Sequence, residues 1–398
     1  MQESGRRGSG GVRICRGALA EWIRHHRRAA AISQEQLAMR LTRMGSTVSR
    51  STLSRWEQGR AAPPGDVVPL LAQALGAPLA NLEELVARAG ARTEIDLTGL
   101  SFDDLRDEGE RAARAGRLVR AAAFFEAAHH LILLEAAQPA PEEHAMVLLR
   151  LAWARLHGWQ LYLARQALGA LARLPGLPWH FELRAFCLHL TISARSGDPL
   201  AARAFAESIG TAIARPDCQP DIRALGHHAL GRWHFLAERY PEAAEALSLA
   251  VEGWKKSGNS LEATRADALL GYSIARTGRP ADGERRLRSS REAAALLGSL
   301  EVEALAERLL GRLLGETGRR AEAADRLETA AGLARRSGVP EEEFLCRWHA
   351  WRFADPAEKA RIARALRRLL PDVHPAVPEV LAFLEATGAG ENGREDTR

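Results

Sequence analysis

Four polar residues between positions 49 and 59 have the types and spacing needed to hydrogen-bond to the edges of DNA bases. An arginine can donate two hydrogen bonds to O6 and N7 of guanine, and a serine can donate or accept one. Leu53 and Trp56 lie three positions apart, which places them on the buried face of a helix and leaves the polar residues outside. The predicted base-reading residues are Arg50, Ser51, Ser54 and Arg55.

Three further residues near this segment could contact DNA phosphates. Gln34 is predicted to lie in the first turn of the preceding helix, where its side chain and the helix N terminus can reach a phosphate. Arg60 follows the base-reading helix in a loop, where a phosphate contact is expected. Arg43 lies in the connection between the two helices and could add another contact, with a solvated loop arginine as the alternative.

Five helices are needed to position these residues. Ser33, with Gln36 three residues later, forms a capping box that starts the second helix. Ser49 caps the third helix, and Gly59 ends it. Apolar residues at helical spacing predict the remaining helices at about Ala18–Ala30, from the Pro63-Pro64 pair to Gly76, and at about Leu82–Ala89.

The positive charge of the chain is concentrated on this segment. Residues 1–92 hold 14 Arg against 7 Asp and Glu, a net charge of +7, whereas the remaining residues carry a net charge of −2. Neutralised DNA phosphates release condensed counterions, so a basic domain favours DNA binding. The alternative is a generally arginine-rich composition.

Three runs of residues occur here in the order typical of one family: S-Q-E-Q-L-A at 33–38, S-T-L-S-R-W-E-Q-G at 51–59 and A-L-G at 74–76. With them, residues 14–89 resemble the lambda-repressor-like (Xre/Cro) DNA-binding domain. The resemblance implies that Gln34, Arg50, Ser51 and Arg55 contact DNA, and that a homodimer binds a two-fold operator in double-stranded DNA. A helix-turn-helix that docks onto another protein is the alternative.

The connection between the second and third helices departs from that family. Thr42 to Val48 make it about five residues longer than the usual short turn. We therefore expect a different tilt of the third helix.

The rest of the chain shows a repeat of about 40 residues without strand alternation. Leu-Gly pairs recur at this spacing, at 230–231, 270–271 and 310–311. Turn signals predict six helical hairpins, with a seventh at Asp355-Pro356; they lie at Gly116, Gly158, Gly197, Arg239, Gly278 and Gly318. The pattern predicts an α-solenoid over residues 100–386, although the blocks at 140–215 are recognised mainly by spacing.

The first block carries small and aromatic residues at characteristic offsets: Gly109, Gly116, Ala121, Phe125 and Ala128. In these the region resembles the tetratricopeptide repeat. That family lines a concave groove with residues of the first helix of each hairpin. Carried over, the resemblance implies a ligand groove formed by His228, Arg232, Tyr272, Arg308 and Arg312, with Arg276 one turn beyond Tyr272.

Such a groove would be basic, which favours an acidic ligand such as a peptide carboxylate, an acidic protein segment or a phosphorylated metabolite. The alternative is a solvated arginine face that pairs with nearby glutamates. Asn side chains that clamp peptide backbones in such grooves are almost absent, since the chain holds only Asn81, Asn259 and Asn392.

Other classes of protein are disfavoured by the composition. The chain has 4 Cys without metal-ligand spacing, no apolar run long enough for a membrane span, and no signal-peptide pattern at its start. No Gly-rich phosphate loop, zinc-protease motif or nucleophile elbow occurs. We therefore expect a cytoplasmic protein that is not an enzyme and needs no cofactor or metal.

The sequence thus predicts an all-α protein with four parts: a disordered tail (1–12), a five-helix helix-turn-helix domain (13–92), a helical repeat domain (100–386) and a second disordered tail (387–398). The combination resembles peptide-responsive bacterial regulators of the quorum-sensing type. It predicts a transcriptional regulator whose repeats bind a ligand and mediate dimerisation. Two alternatives stay open: a DNA-localised scaffold that grips a partner protein, and an enzyme with an unrecognised site.

Overall fold

The computed structural model describes residues 10–79, 81–82, 85–86, 99–373 and 377–387, with side chains except at 10–18 and 371. Within these residues the regular structure is α-helix, apart from one turn of 3-10 helix at Leu370–Asp372, which confirms the predicted all-α class. The chain divides into two compact units: residues 1–109 with 123–139, and residues 110–122 with 140–398. No helix in the described parts of the chain is long and apolar enough to cross a membrane.

The first unit begins with four helices: α1 (Gly10–Ala29), α2 (Gln34–Arg43), α3 (Arg50–Glu57) and α4 (Val68–Leu75). The predicted caps are confirmed. Ser33 Oγ accepts a hydrogen bond from the Gln36 backbone N–H at 3.1 Å, and the Ser33 N–H donates to Gln36 Oε1 at 2.7 Å. Ser49 Oγ accepts from the Thr52 N–H at 3.2 Å. Gly59 adopts a φ of +67° just after α3, as expected for a glycine that ends a helix.

Three predicted helix bounds were wrong. Helix α1 begins at Gly10 rather than Ala18, because residues 12–17 contain no proline and continue the helix; residues 10–12 of the predicted tail are therefore helical. Helix α4 begins at Val68, since each proline at 63 and 64 disfavours helix for the residue before it, and Pro69 takes the first turn. Arg43 is the last residue of α2, so the connection is only Met44–Ser49.

The remaining predicted parts lie partly outside the described residues. Of the predicted fifth helix at 82–89, only Leu82, Leu85 and Val86 are described; all three are helical, and the two leucines are buried. The tails at 1–9 and 388–398 also lie outside, and of the predicted domain boundary at 93–99 only Gly99 is described.

The core of the helix-turn-helix segment comes from all four helices. Its fully buried side chains include Leu19, Trp22, Ile23, Leu37, Leu41, Leu53, Trp56 and Leu71. Each large apolar side chain contributes roughly 1.5–3 kcal/mol when it leaves water. The predicted inward faces of α2 and α3 are therefore confirmed, and they fix which side of α3 points to solvent.

Seven helical hairpins follow, and every predicted turn lies between two helices. The helices are α5 (Phe102–Arg114), α6 (Leu118–Leu133), α7 (Pro141–His157), α8 (Leu161–Leu171), α9 (Trp179–Arg195), α10 (Pro199–Ile213), α11 (Pro220–Leu236), α12 (Tyr240–Lys256), α13 (Ser260–Arg276), α14 (Pro280–Leu296), α15 (Leu300–Glu316), α16 (Arg320–Ser337), α17 (Pro340–Phe353) and α18 (Pro356–Leu369), followed by α19 (Pro378–Ala386). The repeat spacing thus predicted even the blocks at 140–215, whose residues match poorly.

Small residues let the two helices of a hairpin approach closely. A Cβ atom added at Gly231 would lie 2.6 Å from the Leu247 side chain, and one at Gly311 would lie 2.7 Å from the Leu327 side chain. No ordinary Cβ contact is that short. The recurring Leu-Gly pair is therefore a packing requirement of the repeat.

Inside the second unit, its first turn contacts helices that come much later in the chain. A Cβ atom added at Gly116 would lie 3.2 Å from the Glu301 backbone nitrogen in α15. Leu118 and Trp159 belong to the same apolar cluster as Phe344 of α17 and its neighbours. Trp348 and Trp351 of that cluster stack with ring centroids 5.2 Å apart, as their spacing predicted.

Candidate functional site

The outer face of α3 presents most of the predicted base-reading side chains. Arg50, Ser51 and Arg55 are exposed, whereas Ser54 is half-buried. Ser54 Oγ accepts a hydrogen bond from Gln58 Nε2 at 3.0 Å, and Ser51 Oγ lies 2.8 Å from Ser49 Oγ. Both hydroxyls are thus oriented by local partners, while the two arginines are free to extend toward a ligand.

The C-terminal end of α3 is held by a buried carboxylate that the sequence did not lead us to predict. Glu57 is only 4% exposed. Its two oxygens accept hydrogen bonds from Arg27 in α1, at 2.5 and 3.1 Å, and from Gln34 Nε2 in α2, at 2.9 Å. Arg24 also donates to the Glu57 backbone carbonyl at 2.5 Å. Three helices therefore meet at one side chain, which fixes the position of α3.

The electrostatics of this Glu57 cluster favour the ionised carboxylate. Burial alone would raise the pKa of Glu57, but the hydrogen bonds from Arg27 and Gln34 and the nearby positive charges outweigh it and lower the pKa. The same carboxylate raises the pKa of Arg27. The phosphate contact predicted for Gln34 stays a prediction, and its side-chain amide already bonds to Glu57.

The longer connection before α3 is ordered by specific contacts. Gly45 adopts a φ of +91°, the Ser46 N–H donates to the Leu41 carbonyl at 3.0 Å, and Val48 is buried. Arg43 is exposed at the end of α2 and Arg60 is exposed after α3. The connection is therefore anchored to the core, with arginines exposed on either side of α3.

In the second unit, the predicted basic groove needs correction at Tyr272 and its arginine neighbours. Tyr272 is completely buried, and its hydroxyl donates to the Glu316 carboxylate at 2.9 Å. Arg276 and Arg312 bond to the same carboxylate at 3.2 and 2.9 Å. Burial is the main reason that the pKa of Tyr272 is raised. These side chains tie α13 to α15.

Arg308 is paired in the same way, since it lies 3.4 Å from Glu342 in the next hairpin. Arg276, Arg308 and Arg312 are therefore paired with nearby glutamates, as in the alternative, but Arg308 and Arg312 are not solvated, since their side chains are 14% and 16% exposed. The pairing partner of Arg276 lies 40 residues away, which is the repeat length. A search for opposite charges at that offset would have found it.

The other two predicted groove residues, His228 and Arg232, line a cavity of about 370 Å³ in the second unit. The cavity lies between α7, α9, α11, the end of α12 and the start of α13. Its apolar and aromatic walls include Met146, Leu149, Trp153, Leu188, Leu225 and Trp254. Its polar walls include Arg150, Arg184, Asp221, Asn259, Glu262 and Arg265. Half of these residues come from the poorly matching blocks at 140–215, where the repeat pattern assigned no groove positions.

An ion network crosses this region. Arg265, 4% exposed, bonds to Glu262 in its own helix and to Glu301 in α15, the latter at 2.5 Å. His157 Nδ1 lies 3.5 Å from Glu301, and His228 Nδ1 lies 3.7 Å from Glu262. Burial would raise the pKa of Glu301, but Arg265 and His157 outweigh it and lower that pKa strongly. The pKa of Glu262 is also lowered, so both half-buried carboxylates are ionised.

Both histidines of the network are neutral at pH 7. Burial lowers the pKa of His157 and of His228 to about 4 in each case. Neutral His157 can donate from Nδ1 to Glu301 and accept at Nε2 from Arg232, whose Nη1 lies 3.4 Å away. The positive charge on the cavity wall therefore comes from arginines alone.

The N-terminal geometry agrees with a family comparison. Residues 18–85 match the family model described as a helix-turn-helix domain. This segment is a helix-turn-helix domain. It comprises part of α1, all of α2 to α4 and the buried Leu82 and Leu85, and it covers less than half of the chain. The chain therefore consists of a helix-turn-helix domain followed by helical repeats. A search of curated proteins found no match.

The chain is also similar to several solved structures. One is PlcR of Bacillus thuringiensis in complex with the peptide PapR7 and DNA (16% identity, 74% of this chain and 99% of that chain, TM-score 0.43). Another is ComR from S. thermophilus in complex with DNA and its signalling peptide ComS (13% identity, 78% and 99%, TM-score 0.37). A third is a STAND protein with a tetratricopeptide repeat sensor from Pyrococcus horikoshii (12% identity, 84% and 52%, TM-score 0.47). Since all three TM-scores are below 0.5, the helix-turn-helix assignment rests on the family model and the geometry.

Proposed function

We propose that this protein is a sequence-specific DNA-binding transcriptional regulator whose helical repeats sense a ligand and mediate dimerisation. The observation that carries the proposal is the exposed polar face of α3, held in place by Glu57 within a helix-turn-helix domain. Residues 1–92 also carry the basic excess of the chain. A fixed helix with arginines at its surface, on a basic domain, is suited to a DNA major groove.

Within this proposal the exposed residues have separate roles. Arg50, Ser51 and Arg55 read base edges, with Ser54 at the margin of the contact because it is half-buried. Arg43 and Arg60 bind phosphates on either side of the groove, together with the N terminus of α2 beside Gln34. Phosphate contacts set affinity and salt dependence, whereas the α3 side chains set sequence preference.

The sensing role is assigned to the repeats. His228 and Arg232 remain the predicted ligand residues that line a cavity, whereas Tyr272, Arg276, Arg308 and Arg312 hold neighbouring helices together. The ligand is a peptide or an acidic small molecule. Its binding would shift the population between two arrangements of the repeats, which requires that it prefer one of them.

The test is selection of DNA fragments from a random library by the full-length chain at several salt concentrations. A regulator should enrich one DNA sequence whose two half-sites are related by two-fold symmetry and lie about one helical turn apart. The double variant Arg50→Ala/Arg55→Ala should lose that enrichment but keep weak, salt-sensitive binding. As a matched control, Arg28→Ala changes an exposed arginine of α1 and should keep the preference.

Two results would contradict the proposal. If the wild-type chain enriches no sequence over bulk DNA, the helix-turn-helix does not read bases, and capture of a partner protein becomes the leading function. If light scattering shows a monomer both alone and on the selected site, dimerisation through the repeats is wrong.

A further inference from the structure

We propose that the cavity between α7, α9, α11 and α13 is the effector site and that it takes a small organic acid, with a carboxylate joined to an apolar or aromatic body. This inference rests on the proposed function, since it names the ligand class of the sensor. It assigns the carboxylate to Arg232 and the body to the indole-lined wall.

The size and walls of the cavity suit a small molecule. Its volume of about 370 Å³ lies near the lower end of the range of roughly 300–1,000 Å³ that is typical of small-molecule sites. Trp153 and Trp254 contribute aromatic surface, and Met146, Leu149 and Leu225 contribute aliphatic surface. The apolar part of such a wall can bind the body of a ligand, and the polar groups fix its orientation.

The charges on the wall leave one arginine without a carboxylate. Four arginines line the cavity against two acidic residues, Asp221 and Glu262. Three of the four are paired: Arg150 with Glu110 at 2.8 Å, Arg184 with Asp221 at 3.8 Å, and Arg265 with Glu262 and Glu301. Among the described residues, no carboxylate forms an ion pair with Arg232.

The repeat explains why Arg232 lacks a carboxylate partner. Arg232 and Arg312 lie 80 residues apart, which is two repeat lengths, at equivalent positions of two hairpins. Arg312 donates to Glu316 one helical turn later, at 2.9 Å, whereas Leu236 occupies that position after Arg232. An arginine out of bulk water without a directly paired carboxylate is costly. Burial lowers the pKa of Arg232 although the charges of Glu301, Glu342 and Glu262 act to raise it. A ligand carboxylate supplies the missing ion pair.

Unpartnered donors on the same wall point to acceptor oxygens in the ligand. Arg184 Nε, Trp254 Nε1 and Arg265 Nε are buried and have no hydrogen-bond partner among the described residues, and neither does His228 Nε2. The side chains of Trp254, Arg265 and His228 are more than nine-tenths buried. Buried polar groups are nearly always bonded, so several orphans around one cavity indicate an absent ligand.

The position of Arg232 links such a ligand to the packing of the repeats. Arg232 of α11 contacts His157 of α7, which contacts Glu301 of α15, which in turn bonds to Arg265 of α13. A carboxylate on Arg232 replaces His157 Nε2 as its partner. The hairpin of α7 and the hairpin of α11 then lose one of the contacts that join them.

The test uses the full-length chain with phenylacetate and indole-3-acetate as probes, and with phenylacetamide and indole-3-acetamide as neutral matches. Isothermal titration calorimetry measures affinity and thermal unfolding measures stabilisation. We expect the acids to bind roughly 10- to 100-fold more tightly than the amides, because a hydrogen bond between charged partners is lost. Equal affinities, or no binding of the acids at millimolar concentration, would overturn the proposal.

Two arginine variants separate a ligand role from a structural role. Arg232→Met should abolish the preference for the acids without lowering the unfolding temperature. Arg312→Met, at the equivalent repeat position, should lower that temperature because Glu316 loses a partner, and should keep the preference. The proposal is wrong if Arg232→Met unfolds the chain or leaves the preference intact. The DNA selection described above is independent: its failure would remove the regulator function but not the acid binding.

Discussion

Removal of the arginine that binds the buried carboxylate of α3 should loosen the DNA-reading domain. In Arg27→Met, Glu57 keeps one hydrogen bond from Gln34 but loses both bonds from Arg27, so a charge that is 4% exposed is left without its counter-charge. Breaking a buried ion pair in this way costs about 3–5 kcal/mol. The effect should appear locally, as an increase in amide hydrogen exchange of α1 to α3 on the order of 10²–10⁴-fold.

Mass-spectrometric hydrogen exchange on the full-length chain measures this, because it reports peptides of α1 to α3 separately from the repeats. Arg28→Met is the control: its side chain is exposed on the same helix, and its effect should stay within about 0.5 kcal/mol. Glu57→Gln should cost less, about 1–3 kcal/mol, since Arg27 can reach solvent. The double variant Arg27→Met/Glu57→Gln should lose less than the sum of the two single changes.

The same cluster predicts the direction of a pH effect. The pKa of Glu57 is lowered from about 4.5 in the folded chain, so the unfolded chain binds its proton first as the pH falls. The contribution of Glu57 to stability is therefore complete above pH 4.5 and is lost as the pH falls through the pKa of Glu57 in the folded chain.

Unchanged amide hydrogen exchange of α1 to α3 in Arg27→Met at neutral pH would refute the role given to the Arg27–Glu57 ion pair.

Three further outcomes are expected. Arg55→Ala should weaken binding to the selected site by about 1–3 kcal/mol and relax the base preference there; an equal loss on random DNA, measured by fluorescence anisotropy, would make Arg55 a phosphate contact instead. Gly311→Ala should lower the free energy of unfolding in urea by about 1–3 kcal/mol, because the new Cβ would lie 2.7 Å from a leucine side chain. Gly332→Ala should raise that free energy by about 0.5–1 kcal/mol, because no neighbour lies within 4 Å of its Cβ. Similar effects of the two changes would contradict the packing argument. Acidification below pH 6.5 should lower the stability of the repeats by up to about 1.4 kcal/mol per pH unit for each of His157 and His228. Each histidine has a folded pKa of about 4, so the unfolded chain takes up the proton first. If the variant His157→Gln/His228→Gln shows the same dependence of stability on pH, the two histidines are not its cause.

Local signals predicted the helix ends well where one residue decides them. Ser33 and Ser49 cap their helices through bonds to backbone groups three residues away, so the sequence window contains both partners. The start of α4 was missed because two signals compete there: a proline favours the first turn of a helix but also restricts the residue before it. Pro69, not Pro63 or Pro64, occupies the first turn.

The repeat itself was predictable because spacing survives where residue identity does not. The hairpins at 140–215 show few expected residues, yet their turns lie where the period requires them. The groove was predicted less well, because the exposure of an arginine depends on partners that are distant in sequence. Arg265 and Glu301 are separated by 36 residues, which is not the repeat length, and no sequence pattern reveals that they meet.

The differences between repeat copies are more informative about function than their similarities. Arg232, Tyr272 and Arg312 occupy one equivalent position in three successive hairpins, and Leu236, Arg276 and Glu316 occupy the position one turn later. In the last two copies these residues bond to one another around the Glu316 carboxylate and join α13 to α15. The first copy has an arginine and no carboxylate at these two positions, and it lies beside a cavity with orphaned donors. The absence of a Glu316 equivalent thus leaves the arginine of this copy available to an external acid, although the helices that carry it form the same kind of hairpin.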